Sequence, residues 1–159
     1  MRFCLVDRIL SLEAGQSVTA TKSLSLAEEY LGDHFPGFPV MPGVLMVESL
    51  VQTSAWLMRH SEQFQYSTIL LKEARAVRFN NFVSPGQTLR IDCSVQKKTD
   101  RTYTIKGQGT VDGGSAVSAR LTLEQFNLAD SDPELAKSDA MRIARMKQTF
   151  ETLWRPESN

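Results

Sequence analysis

Through most of this chain, apolar and polar residues alternate with a period of two, the mark of strands that lay one face on a core. Phe3 to Leu12 is strand-like and stops at Glu13-Ala14-Gly15-Gln16. Ser17 to Leu26 then alternates, with Val18, Ala20, Lys22, Leu24 and Leu26 on one side and Thr19, Thr21, Ser23 and Ser25 on the other. The short turn between these runs predicts a hairpin. Further strand-like runs cover Thr68 to Phe79, Thr88 to Val95, Thr102 to Val111 and Ala116 to Phe126. They are broken at Ser84-Pro85-Gly86, at 97–101 and at Asp112-Gly113-Gly114, all good turn material. Long alternating strands on short turns predict a mostly antiparallel sheet.

The rhythm fails in the middle of the chain. Gly32 to Gly43 is dense in Pro and Gly, with Pro36, Pro39 and Pro42, and predicts an ordered irregular loop. Val44 to Arg59 then runs without Pro or Gly and predicts a helix of roughly 25 Å. Its apolar residues lie on every side, as in a helix surrounded by protein. These elements describe an α+β domain in which an antiparallel sheet curls around a central buried helix. Beyond Phe126 the texture changes again. Asp132-Pro133-Glu134 is a helix start, and Ile143, Met146, Phe150 and Leu153 recur at helical spacing beside Trp154. The expectation is one domain over 1–126 and a C-terminal helical extension over 127–159, packed against the sheet or a sister subunit.

Composition narrows the partners. The 159 residues carry 18 Lys plus Arg and 18 Asp plus Glu, which disfavours nucleic acid or an anionic membrane as a whole-surface partner. Cys4 and Cys93 have no disulfide-scaffold or zinc spacing, so both are expected to pack as thiols in a reducing compartment. The N-terminal apolar run is too short for a signal peptide, and the longest apolar stretch, 44–58, is too short and too polar to span a bilayer. A cytoplasmic protein is expected.

Few residues offer chemistry. The histidines are His34 and His60, and no GxSxG, HExxH or P-loop motif is present. Gly107-Gln108-Gly109 lies in a strand-like run and reads as a bulge or a close contact. Glu48 is an anomaly, a carboxylate in an apolar helix, where burial would be costly and would raise its pKa. A structural Glu and a functional one weigh about evenly on burial alone. The His34 loop, however, runs straight into the helix bearing Glu48, and Gly43 sits where the first free N–H groups of that helix point outward. An imidazole, a carboxyl and a helix N-terminus suit proton abstraction beside a carbonyl with acid-assisted loss of a leaving group.

The stretch from His34 to Gln52, HFPGFPVMPGVLMVESLVQ, resembles the signature of the FabZ-type 3-hydroxyacyl-[acyl-carrier-protein] dehydratases. The likeness extends through Leu5-Val6-Asp7-Arg8, Val77-Arg78-Phe79 and Ser84-Pro85-Gly86, and covers roughly Phe3 to Phe126. It implies the hotdog fold, a helix wrapped by an antiparallel sheet. It also implies dehydration of (3R)-3-hydroxyacyl thioesters on acyl carrier protein to trans-2-enoyl thioesters in fatty acid biosynthesis, with neither metal nor other cofactor. By position, the catalytic groups fall on His34 and Glu48. The Gly43 N–H would bind the thioester carbonyl, the Val40 carbonyl would orient the imidazole, and Gln52 would complete the substrate site. The resemblance further implies a homodimer whose sites are shared, His34 facing the partner's Glu48, with a trimer-of-dimers hexamer as a further assembly. Asp33 before His34, Gln87 after Pro-Gly and the long C-terminal segment depart from the pattern.

Alternatives within the same fold are a dehydratase/isomerase, which Glu48 in place of Asp disfavours, and an acyl thioesterase. A non-catalytic acyl-binding or assembly subunit is the alternative of another class. Residues 72–106 hold Lys72, Arg75, Arg78, Arg90, Lys97, Lys98, Arg101 and Lys106 against Glu73, Asp92 and Asp100. Part of this basic set is expected to dock the acidic carrier protein.

Overall fold

Alternation in the second half resolves into β3 (Thr68–Phe79), β4 (Thr88–Lys98), β5 (Thr102–Val111) and β6 (Gly114–Phe126), in a computed structural model that describes residues 3–156. Met1, Arg2 and residues 157–159, the outer ends of the expected domain and extension, lie outside the described residues. The first hairpin joins β1 (Arg8–Glu13) to β2 (Ser17–Ser23), turning where Gly15 adopts a positive φ of 73° and Gln16 N–H bonds the Glu13 carbonyl. All strands pair antiparallel in one sheet of order β1-β2-β4-β5-β6-β3.

The helix α1 (Gly43–Ser61) lies on the concave face of this sheet, against β2, β4, β5 and β6. Leu50, Leu57 and Met58 are fully buried among Ile91, Ile105 and Leu121. Each leucine so buried stabilises the fold by about 1.5–3 kcal/mol. The GQG pair is explained by close packing. A Cβ on Gly107 would stand 3.2 Å from Leu50 Cδ1, and one on Gly109 would stand 2.7 Å from Val117 Cγ1. Cys93 is buried under α1, and burial pushes its thiol up to about 12.

Three expectations need correction. Residues 3–7 precede the first strand, because Leu5 N–H is taken by the side chain of Gln52 instead of by a neighbouring strand. Cys4 is exposed, not packed. The N-terminal half of α1 is not surrounded: Val44 is 73% exposed and Leu45, Val47 and Glu48 are half-buried, so this side of the helix looks out of the molecule.

The extension meets both the sheet, at its edge strand β1, and α1. After a 3-10 turn over Pro133–Leu135, N-capped by Asp132 accepting from Glu134 N–H, α2 (Ala136–Leu153) lies against β1 and packs its end on α1. Phe150 meets Trp56, His60, Phe64 and Trp154 at ring-centroid distances of 5.4–6.0 Å, lying flat on His60. The other end of α2 is held by buried Asp139, which accepts from Ser67 Oγ and from the N–H groups of Leu128 and Ala129.

Burial alone would raise the Asp139 pKa. The bonds from Ser67, Ala129 and Leu128, with the charge of Arg142, hold it below its ordinary 3.8 instead. A depressed carboxyl stabilises the fold above its unfolded pKa, and that contribution is lost as pH falls through the folded value. The urea midpoint should therefore drop between about pH 5 and pH 3. In Asp139→Asn the midpoint should be lower at neutral pH and its acid dependence smaller.

Candidate active site

The loop ahead of α1 is built by its prolines and by two residues of left-handed conformation. Phe35 has φ 49° and Gly37 φ 88°, and Phe38 N–H closes a turn on the Phe35 carbonyl. The loop is pinned at its end, where Val40 and Met41 are buried and Met41 N–H bonds the Val83 carbonyl. His34 stands half-buried at the mouth of a cleft of about 380 Å³ that is also lined by Val40, Gly43, Met46, Phe79 and Phe82. Its ring lies against Phe35, centroids 4.3 Å apart.

Gly43 opens α1. Leu45 and Met46 N–H both turn back to the Pro42 carbonyl, and no side chain caps this end. The first amides of a helix have no intrahelical acceptor and carry the positive end of its dipole, so this terminus presents donors to the cleft. Phe79 approaches so closely that a Cβ on Gly43 would stand 2.9 Å from its Cε1. The rim is apolar: Phe35, Phe38, Phe79 and Phe82 are each more than half exposed, and Phe38 packs edge-on to Phe82 at 5.4 Å. So much exposed aromatic surface in one place marks a binding or contact surface.

His34, Val40 and Gly43 are thus brought together as expected, and Glu48 is not. Five residues beyond Gly43 at 100° per residue, Glu48 points roughly 140° away around α1. Its Oε1 accepts from Gln52 Nε2 at 3.0 Å. The same amide donates to the Phe3 carbonyl at 2.9 Å, and its Oε1 accepts from Leu5 N–H at 2.9 Å. Both ends of the Gln52 amide are thus bonded to protein groups, which ties Glu48 to the Phe3–Leu5 segment. Among the described residues the His34 ring makes no bond to the Val40 carbonyl, so that expected orienting contact is not formed within this chain.

The sequence reading missed Phe79, Asn80, Asn81 and Phe82 as cleft walls. The only signal was a pair of aromatics flanking two asparagines just past a strand end. What places them is long-range: the Asn80 and Asn81 N–H groups both bond the Ala116 carbonyl on β6.

Residues 1–120 match the family model described as a FabA-like domain. A 3-hydroxyacyl-[acyl-carrier-protein] dehydratase FabZ of Levilactobacillus brevis is 38% identical over 130 residues, covering 82% of this chain and 86% of that protein. One of Thermomicrobium roseum is 37% identical over 136 residues, covering 86% and 88%. Among solved structures, the dehydratase heterocomplex ApeI:P of Xenorhabdus doucetiae superposes with a TM-score of 0.67 at 18% identity, covering 83% of this chain and 89% of that one. The smu.793 protein of Streptococcus mutans, bound to acetyl CoA, superposes at 0.61 and 17% identity, covering 80% and 94%. At those identities the structures speak for the fold, which is the hotdog.

Removing the Gln52 amide leaves the buried Leu5 N–H without a partner, at a cost of about 1–3 kcal/mol. Gln52→Leu should lower unfolding free energy by that amount in urea titrations.

Proposed function

This chain belongs to the FabA-like family, on its FabZ side, and from that premise we propose that it dehydrates (3R)-3-hydroxyacyl thioesters of acyl carrier protein to trans-2-enoyl thioesters. The observation that carries the site assignment is the cleft in which His34 faces the uncapped, glycine-initiated N-terminus of α1. A thioester carbonyl bonded to the Gly43 N–H would lie at the positive end of the helix. Negative charge that builds on that oxygen when C2 is deprotonated would be stabilised there. His34 takes the C2 proton, Glu48 gives a proton to the departing 3-hydroxyl, and the products are the enoyl thioester and water. No metal or redox step enters that balance. The apolar cleft beneath the aromatic rim receives the acyl chain, in a catalytic unit of 1–126 with 127–159 as its extension.

A second copy of the chain would supply the missing carboxyl. The edge strand β3 buries none of its residues and exposes Leu70, Leu71, Val77 and Phe79. A long apolar edge of this kind is open to pairing with another strand. Antiparallel pairing of two β3 edges about a two-fold axis covers this surface and the open side of α1, and sets His34 of one subunit toward Glu48 of the partner subunit. Three such dimers would form the hexamer. With no helix among the described residues long and apolar enough to cross a membrane, and with both cysteines free, a cytoplasmic site of action fits.

For the carrier protein, the relevant charges are those at the cleft. Arg78 adjoins Phe79 and has no acid partner among the described residues, while Arg75 pairs with Glu73 and lies in register with Arg120. Lys98 is tied to Glu62 and lies farther along the ladder, opposite Tyr103. Arg75 and Arg78 are therefore the docking pair.

Glu48→Gln should slow enoyl-thioester formation at least about 100-fold, the lower range for losing a positioned acid or base. Near-normal turnover in that variant sinks the assignment. Inactive His34→Ala and Glu48→Gln chains, refolded together, should recover about a quarter of wild-type activity, since half of a random mixture has one intact site. No recovery would place both groups in one chain. Charge reversal at Arg75 and Arg78 should raise KM for the carrier-bound substrate and reduce its salt dependence, while leaving turnover of a small thioester unchanged.

A further inference from the structure

The alternation of β2 sets Lys22 in the inward row with Val18 and Ala20, and the structure keeps it there, 5% exposed. A lysine on the core face breaks the local rule that the rest of the strand follows, and such breaks concentrate where function requires them. Its ammonium is held by Glu28 Oε1 at 2.7 Å and Asp7 Oδ1 at 3.5 Å. Asp7 in turn accepts Ser23 N–H on its other oxygen at 2.7 Å. Burial alone pulls the Lys22 pKa down. The bond to Glu28 and the charges of Asp7 and Glu28 outweigh it and leave the pKa raised, so the cation persists at working pH. Tyr30 faces the same cluster and is pushed up to about 12 by burial and by the charges of Glu28 and Asp7, so it adds no charge.

The two carboxylates belong to different arms of the chain, one leading to each catalytic group. Asp7 ends the segment whose Phe3 and Leu5 backbone groups grip Gln52, which grips Glu48. Glu28 begins the segment that passes through the 3-10 turn Glu29–Leu31 to His34. Between the arms lies an open cavity of about 390 Å³, lined by Phe3, Leu5, Glu28 and Tyr30, across which the Phe3 and Tyr30 rings stand 6.3 Å apart. A buried ion pair is often no more stabilising than apolar residues of similar volume, and stability alone gives little reason to keep one here.

We propose that Lys22 is a positioning residue of the dehydration: within each subunit it ties the arm that carries His34 into one shared site to the arm that orients Glu48 in the other. This rests on the assignment of those two residues as the acid–base pair. Lys22 acts through them and touches no reacting atom.

The test compares kcat and KM for a 3-hydroxyacyl thioester in Lys22→Met, Lys22→Arg and Glu48→Gln, and in Lys22→Met combined with Glu48→Gln. Because Lys22→Met alone strands two carboxylates, Lys22→Met/Glu28→Gln is measured beside it. Both should be folded by circular dichroism, with kcat down by about 10- to 100-fold and KM little changed, as expected for small misplacements of catalytic groups. Lys22→Arg should retain most of kcat. In the Glu48→Gln background, Lys22→Met should cost clearly less than in the wild type, because the part of its effect that acts through Glu48 is already lost. Wild-type kcat in Lys22→Met, an equal loss in both backgrounds, or unfolding of both neutralised variants would overturn the proposal. Near-normal activity in Glu48→Gln would instead overturn the acid–base assignment beneath it.

Discussion

The seat of α1 on β5 is the contact on which everything else depends. Leu50 enters the space that Gly107 leaves, at a separation a side chain there would close. That approach brings the helix down into the sheet until Leu57 and Met58 are sealed and Cys93 lies beneath it with its Sγ on the Leu50 carbonyl. Once the axis is fixed there, the ends of the helix have no freedom. Its N-terminus must emerge beside Phe79, and its C-terminus must meet whatever covers Trp56. The aromatic rim, the donors of the first turn and the docking of the extension are all set by one small residue on a strand.

The order and kind of the elements were legible because each has its own period: two in the strands, none in the Pro/Gly loop, an all-round apolar helix. Misreadings arose where a side chain took over a backbone role. Phe3 to Leu12 looks like a strand, but Gln52 captures Leu5 N–H across a separation of 47 residues, which no local pattern encodes. The apolar side of α1 at Val44 and Val47 looked buried for a similar reason. Periodicity reports that a face wants covering and does not report whether the same chain covers it.

Of the candidate site, the His34–Gly43 half was readable because it is contiguous in sequence and a helix start has fixed polarity. The cleft walls at Phe79–Phe82 were not, since their placement depends on how β3 ends against β6. Lys22 read simply as a member of an alternating row, and its meaning needed both Asp7 and Glu28 in space. Polar residues whose partners are remote look like noise in a pattern of hydrophobicity. In three dimensions they define the frame that holds the reacting groups.

Both tryptophans of the chain, Trp56 and Trp154, flank Phe150 where α2 meets α1. The tryptophan emission of this protein therefore originates at a single seam, apart from the residues that line the cleft. Emission will follow the fit of the extension and will be almost blind to an acyl chain entering beside His34. The His60 ring meets Trp154 edge-on at 5.2 Å, so opening the seam changes the surroundings of both indoles. The extension thus carries its own optical label.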